Sequence, residues 1–276
     1  MKPKVGHIEF LNCLPLYYGL IKKHALLDIE LVKGTPTELN RLLLQGALDI
    51  SPISSIEYAR NSDKLILFPD FTVSSDGEVK SILLMSIYPL EELNGKKVAL
   101  TSTSSTSQTL LKIILKFGYN IEPDYIVMPP NLCDMFTEAD AALLIGDIAL
   151  KCFINSKEFY IYDLGREWKK LTNKKMVYAV WAINKDFLKI NKDLVKYTFE
   201  IFKKSMEYSK KHIFEIAEYA TRWEPFSREF LFDYFRSLHF GFDESYQDGL
   251  LHFYKLAKEI NDLNVIPKLE FVNYED

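Results

Sequence analysis

Cysteine is sparse in this chain. Cys13, Cys133 and Cys152 are the only three in 276 residues, and no CxxC pair occurs. An odd count without metal-ligand spacing fits a reducing compartment and offers neither a disulfide framework nor a zinc site. Histidine is scarce as well: the five residues are scattered, with no HxxxH or HExxH array. There is no basic excess. Lys and Arg number 34 against 38 Asp and Glu, a net charge of −4, which argues against a nucleic-acid partner. The lysine-rich stretch at 203–211 carries apolar residues at helical spacing and reads as a solvated helix face. No run of about 18 apolar residues is present, so no membrane span is expected. The opening MKPKVGHIEFLNCLPL lacks the apolar core of about 7–15 residues that an export signal needs, and residues 5–11 already read as a strand. The expectation is a cytoplasmic protein. Nothing in the chain is repetitive or of low complexity, which disfavours a scaffold.

What is present is a globular chain with 48% hydrophobic residues, long enough for one large domain or two lobes. Strand and helix signals alternate. Residues 5–11, 29–33, 48–51, 65–68 and 80–87 read as strands, with helices over 15–23, 35–45 and 54–61 between them. A second such unit begins near Leu93, with strands at 98–100, 125–128, 141–145 and 160–163. Residues 176–183 read as a strand that returns the chain to the first lobe, and from Lys185 the pattern is helical to about Ile260. The β-α-β order implies mostly parallel sheets with helices on both faces. Two α/β lobes joined by crossings near 86–92 and 178–184 describe a two-lobed, periplasmic-binding-protein-like fold of type II. The expected lobes are 1–88 with 182–276, and 89–181. The ligand cleft then lies at the carboxyl ends of the strands.

One segment stands out. TSTSSTSQ at 101–108 places seven hydroxyl residues between a strand and an apolar helix. N–H groups at a helix start lack intrahelical partners and face the positive end of the dipole, so small hydroxylic side chains there form an anion site. Ser104, Ser105, Thr106 and Ser107 are the candidates, against the plainer reading of an N-cap. Four other strand ends carry unusual polar residues: Asn12 in FLNCLPL, Ser54 and Ser55 in DISPISSIEYAR, Ser81 in SDGEVKSILL, and Gly146–Asp147 in ADAALLIGDIAL. Each has an ordinary structural reading, as a turn, a cap, an edge serine and a helix-start acid respectively.

Taken in order, LN-x-x-PL (11–16), D-I-S-x-I-S-S-x-E-Y-A-R (49–60), G-x-V-x-S-x-L-L (77–84), S-x-T-S (104–107), D-A-x-L-x-I-G-D-x-A-L (140–150) and D-L-G-x-x-W (163–168) resemble the MqnA family. These are the chorismate dehydratases of the futalosine route to menaquinone. The resemblance runs from Val5 to about Ile183. One departure is visible: the family usually continues T-G-L-P after its DLG motif, and here residues 172–175 read TNKK. The resemblance implies a cofactor- and metal-free hydro-lyase that converts chorismate to 3-[(1-carboxyvinyl)oxy]benzoate.

Chorismate is a dianion and needs two anion sites. The Ser104–Ser107 loop would supply one, and Ser54–Ser55 or the backbone at Gly146–Asp147 the second. No strong motif supplies a catalytic base: His7 lies within a strand, and Glu57 lies one turn into a helix. The expectation is that the substrate's own enolpyruvyl carboxylate takes the proton while Asn12 and Ser81 orient the reacting groups, with Glu57 as the competing base. A non-catalytic small-anion binding protein and the related dihydroxynaphthoate synthase are the alternative functions. The sequence leaves the oligomeric state open.

Overall fold

The computed structural model describes residues 2–22, 25–155 and 158–273. The first lobe opens with β1 (Lys4–Ile8), a 3-10 turn at Leu11–Cys13 and α1 (Leu14–Lys22). It continues through β2 (Glu30–Gly34), α2 (Pro36–Leu44), β3 (Ile50–Ser54), α3 (Ser55–Arg60) and β4 (Leu65–Ser75). The start of α2 follows from its sequence. Thr35 and Glu38 form a reciprocal capping box, and Pro36 occupies the first turn, where no N–H is missed.

The chain then enters the second lobe, with β5 (Ile82–Ser86), β6 (Lys97–Thr101), α4 (Ser105–Ile113) and its π-helical continuation Ile114–Tyr119. Next come β7 (Asp124–Met128), α5 (Leu132–Glu138), β8 (Ala141–Ile145), α6 (Gly146–Asn155), β9 (Tyr160–Asp163) and α7 (Leu164–Thr172). It returns through β10 (Met176–Asn184) to α8 (Lys185–Ile190), α9 (Lys192–Lys211), α10 (Ile213–Ala220), α11 (Arg228–Ser237), β11 (Leu238–His239) and α12 (Glu244–Glu259).

Apart from the added edge strand β11 (Leu238–His239), the two sheets share one strand order, read in opposite directions. The first runs β11-β4-β10-β3-β1-β2 and the second β7-β6-β8-β5-β9. Both are mixed rather than mostly parallel. β10 pairs antiparallel with β3 and β4, and β5 pairs antiparallel with β8 and β9. The reason is connectivity: β5 and β10 are the strands entered from the opposite lobe, so they run against their neighbours. Their starts and the carboxyl ends of β1, β3, β6 and β8 therefore meet at the cleft. Sheet membership also moves the expected lobe boundaries. β5 lies in the second sheet and all of β10 in the first, so the crossings are residues 76–81 and 173–175 rather than 88/89 and 181/182.

β10 is buried along nearly its whole length, as a central strand covered on both faces must be. Trp181 packs with Phe71, which in turn meets Phe199 and Phe202 of α9. The TNKK segment forms the end of α7 and the turn into β10. Asn173 caps α7 in the left-handed region (φ 55°), a conformation that asparagine tolerates nearly as glycine does.

Candidate functional site

A small cavity of about 40 Å³ lies between the lobes. From the first lobe it is lined by Ile8 and Phe10 after β1, by Asn12, by Pro36 of α2, and by Ser54 at the end of β3. Val73 of β4, with Tyr178 and Ala179 of β10, forms its floor. The second lobe contributes Ser81 and Ile82 at the start of β5, Ser104 and Ser107 at the start of α4, and Ile145 and Gly146 where β8 meets α6. Six of the residues expected from sequence thus converge: Asn12, Ser54, Ser81, Ser104, Ser107 and Gly146. Among the described residues, no Asp, Glu, His, Lys or Arg side chain lines this cavity. Its one titratable lining group is Tyr178, whose hydroxyl is pushed far up by burial and shares a hydrogen bond with Ser75 Oγ at 2.8 Å.

Two buried polar atoms in the cavity wall have no partner: Asn12 Oδ1 and Ser54 Oγ. Ser54 is almost fully buried, and its backbone N–H is already held by the buried Asn40 at 3.1 Å. Its hydroxyl makes no cap bond to α3. Buried polar groups are nearly always paired, so orphans on a cavity wall mark where a ligand's polar atoms belong. Ser104 caps α4 by accepting from Ser107 N–H at 3.4 Å, and the two hydroxyls lie 3.0 Å apart. The first turn of α4 therefore presents the Ser104 and Ser107 hydroxyls to the cavity at the positive end of a helix.

Four of the expected residues do other work. Ser55 donates to Val177 O at 2.8 Å and lies 3.3 Å from Thr106 Oγ1, which also accepts from Ile56 N–H at 3.2 Å. Ser55 and Thr106 thus bond each other across the cleft and do not line it. Ser105 opens α4 half-buried and outside the lining. Asp147 turns its carboxylate away from the cavity to accept from Leu11 N–H at 2.9 Å, again from lobe to lobe. Burial raises that carboxyl to about 6, a shift limited by the Leu11 bond. Thr37 Oγ1 to Ser102 O at 3.0 Å and the Lys151–Glu224 ion pair at 3.0 Å add to the closed arrangement.

Glu57 is paired with Arg60 at 2.6 Å and stands outside the cavity wall, so it does not face the site. His7 stacks on Tyr17 at 4.0 Å, and burial holds its imidazole down near pH 4. It borders a separate hollow beside Asp147.

Several contributors were not expected from sequence. Phe10 covers Gly146: a Cβ there would sit 2.9 Å from the ring, and φ is +65°, so only glycine closes this contact without strain. Tyr178 was legible only as part of an apolar run. Tyr234 of α11 is fully buried and stands beside Ser81, its hydroxyl without an aligned partner. No local signal marks it, because its place is set by a helix some 150 residues further along the chain. Among the described residues, no three His, Cys, Asp or Glu side chains gather as a metal site. No helix among them is long and apolar enough to cross a membrane.

Two α/β lobes, with serine hydroxyls and, among the described residues, no charged side chain lining the cavity between them, define the class: a two-lobed fold of the periplasmic-binding-protein kind. The Candida albicans CA3427 gene product, described as having the generic periplasmic binding protein fold, superposes with a TM-score of 0.66 at 14% identity. That match covers 99% of this chain and 98% of the other. The chain belongs to the menaquinone-biosynthesis family, whose sequence profile matches residues 3–259. The chorismate dehydratase of Thermus thermophilus is 34% identical over 191 residues, 63% of this chain and 69% of that enzyme. The chorismate dehydratase of Campylobacter jejuni is 30% identical over 179 residues, 63% of this chain and 64% of that enzyme.

Proposed function

We propose that this protein is a hydro-lyase that removes water from chorismate to give 3-[(1-carboxyvinyl)oxy]benzoate. The observation that carries this reading is the cleft wall: unpartnered buried polar atoms at Asn12 and Ser54, hydroxyls at a helix start, and no carboxylate or imidazole among them. Such a wall suits a hydroxylated dianion: the serine hydroxyls donate to carboxylates, Asn12 Oδ1 accepts from a ligand hydroxyl, and no side chain brings negative charge. The matches to chorismate dehydratases support the same substrate.

The chemistry follows from the substrate. Loss of the C3 proton is activated through the conjugated ring carboxylate, on which negative charge grows. Hydroxyl and N–H donors from Ser104, Ser107 and the start of α4 stabilise that charge more in the transition state than in the ground state. The C4 hydroxyl then leaves as water, taking up the abstracted proton, and aromatisation drives the step. The enolpyruvyl carboxylate accepts the proton, because the wall has no side chain placed to do so. Asn12 and Ser81 hold this carboxylate and the departing hydroxyl.

Turnover is the test. Asn12→Ala and Ser81→Ala each lose about 10²–10³ in kcat, the usual cost of one preorganised donor. Near-normal turnover in either would overturn the assigned roles, and loss of turnover in a folded Glu57→Gln would name a different base.

A further inference from the structure

We propose that Asp163 is a positioning residue for this reaction: its buried carboxylate clamps residues 79–81 in a γ-turn that sets where the Ser81 hydroxyl stands in the cleft. The inference rests on the reading above that Ser81 contacts the substrate. The first crossing between the lobes ends in this turn. Ser81 N–H donates to Val79 O at 2.7 Å, closing a three-residue ring around Lys80. Lys80 has φ +60°, a conformation that a side-chain-bearing residue holds only when its surroundings impose it.

The imposing group is on another element. Asp163 ends β9 and caps α7 by accepting from Arg166 N–H at 3.0 Å. The same carboxylate accepts from Val79 N–H at 3.1 Å and from Lys80 N–H at 2.5 Å. Successive N–H groups converging in this way form a nest for an anion, and here the anion is internal. Asp163 is almost fully buried, so no water replaces it. The exit of the turn is fixed too: Ser81 O accepts from Gly146 N–H at 2.8 Å, linking two cleft-lining segments. Gly165 lets the clamp approach, since a Cβ there would lie 2.2 Å from Gly77 O. The capping bond alone would require only Oδ1. The second oxygen serves the turn.

Asp163→Asn separates these duties. Oδ1 keeps the cap and its bond from Val79 N–H, and an amide N–H₂ replaces the oxygen that receives Lys80 N–H. The expected result is a kcat lowered by roughly 10- to 100-fold with KM nearly unchanged, the effect of a misplaced group in the transition state. Adding Lys80→Gly, which lets the backbone hold φ +60° without the clamp, restores most of the lost kcat relative to Lys80→Gly alone. Crystal structures give a second readout that needs no turnover: Ser81 Oγ shifts by about 1 Å in Asp163→Asn and returns in the double variant. An unmoved Ser81, an unchanged kcat, or a loss that glycine does not rescue would overturn the proposal. A parent protein inactive on chorismate would overturn the proposed function instead, and the crystallographic comparison would still decide the role of Asp163.

Discussion

Ser54→Ala should improve the empty protein and impair the working one. Ser54 Oγ is buried and unpartnered, while the backbone around it is held independently by Asn40. A buried hydroxyl without a partner costs roughly 1–3 kcal/mol, and alanine removes it while leaving the cavity wall otherwise in place. The expected gain in unfolding free energy is about 1 kcal/mol, equivalent to a rise in Tm of about 2–4 °C for a chain of this size. Binding should move the other way. A hydrogen bond to a charged group is worth about 1.5–3 kcal/mol, so affinity for the dianion falls about 10- to 150-fold. Differential scanning calorimetry of parent and variant, without and with chorismate, reads both effects. A variant less stable than the parent without ligand, and equally stabilised by chorismate, would refute the assignment of Ser54 to the ligand.

Tyr234→Phe removes a buried hydroxyl beside Ser81 and should lower kcat about 10-fold or more without lowering Tm, by steady-state kinetics and thermal unfolding. Gly146→Ala forces a left-handed alanine against Phe10 and should cost about 1–3 kcal/mol of stability, with a raised KM, by chemical denaturation and kinetics. Asp147 titrates at about 6 when folded, against 3.8 ordinarily. The folded state therefore binds the extra proton between those values. Its stabilising share is complete below the lower value and is lost as pH rises through the upper one. The Tm of the parent should fall relative to Asp147→Asn from pH 4 to 6.5 and run parallel above that. A pH-independent difference would contradict the assignment.

Local signals carried much of the fold. The bounds of β8 and β9 agree with the strands read at 141–145 and 160–163, and the Thr35-Pro36-Glu38 start of α2 is a sequence motif with a geometric outcome. Where the reading stopped short, a non-local pairing decided. The sequence reads the strand as 65–68. β4 instead passes through Asp70 at φ 64°, with a register shift opposite Val180–Ala182, because β10 pairs along both halves.

The site divides in the same way. Strand ends announce Asn12, Ser54, Ser81 and Ser104. Which of two adjacent hydroxyls faces the ligand depends on partners across the cleft, and sequence does not show that Ser55 and Thr106 satisfy each other. Tyr234 and the second duty of Asp163 are likewise products of tertiary contact.

Everything above turns on dehydration of chorismate in this cleft. Its most direct test is mass spectrometry of the products after purified, metal-stripped protein is incubated with chorismate. The expected product is lighter by one water and has new aromatic absorbance. Chorismate returned unchanged, with the protein's Tm raised, would contradict it and leave a binding protein in the enzyme's place.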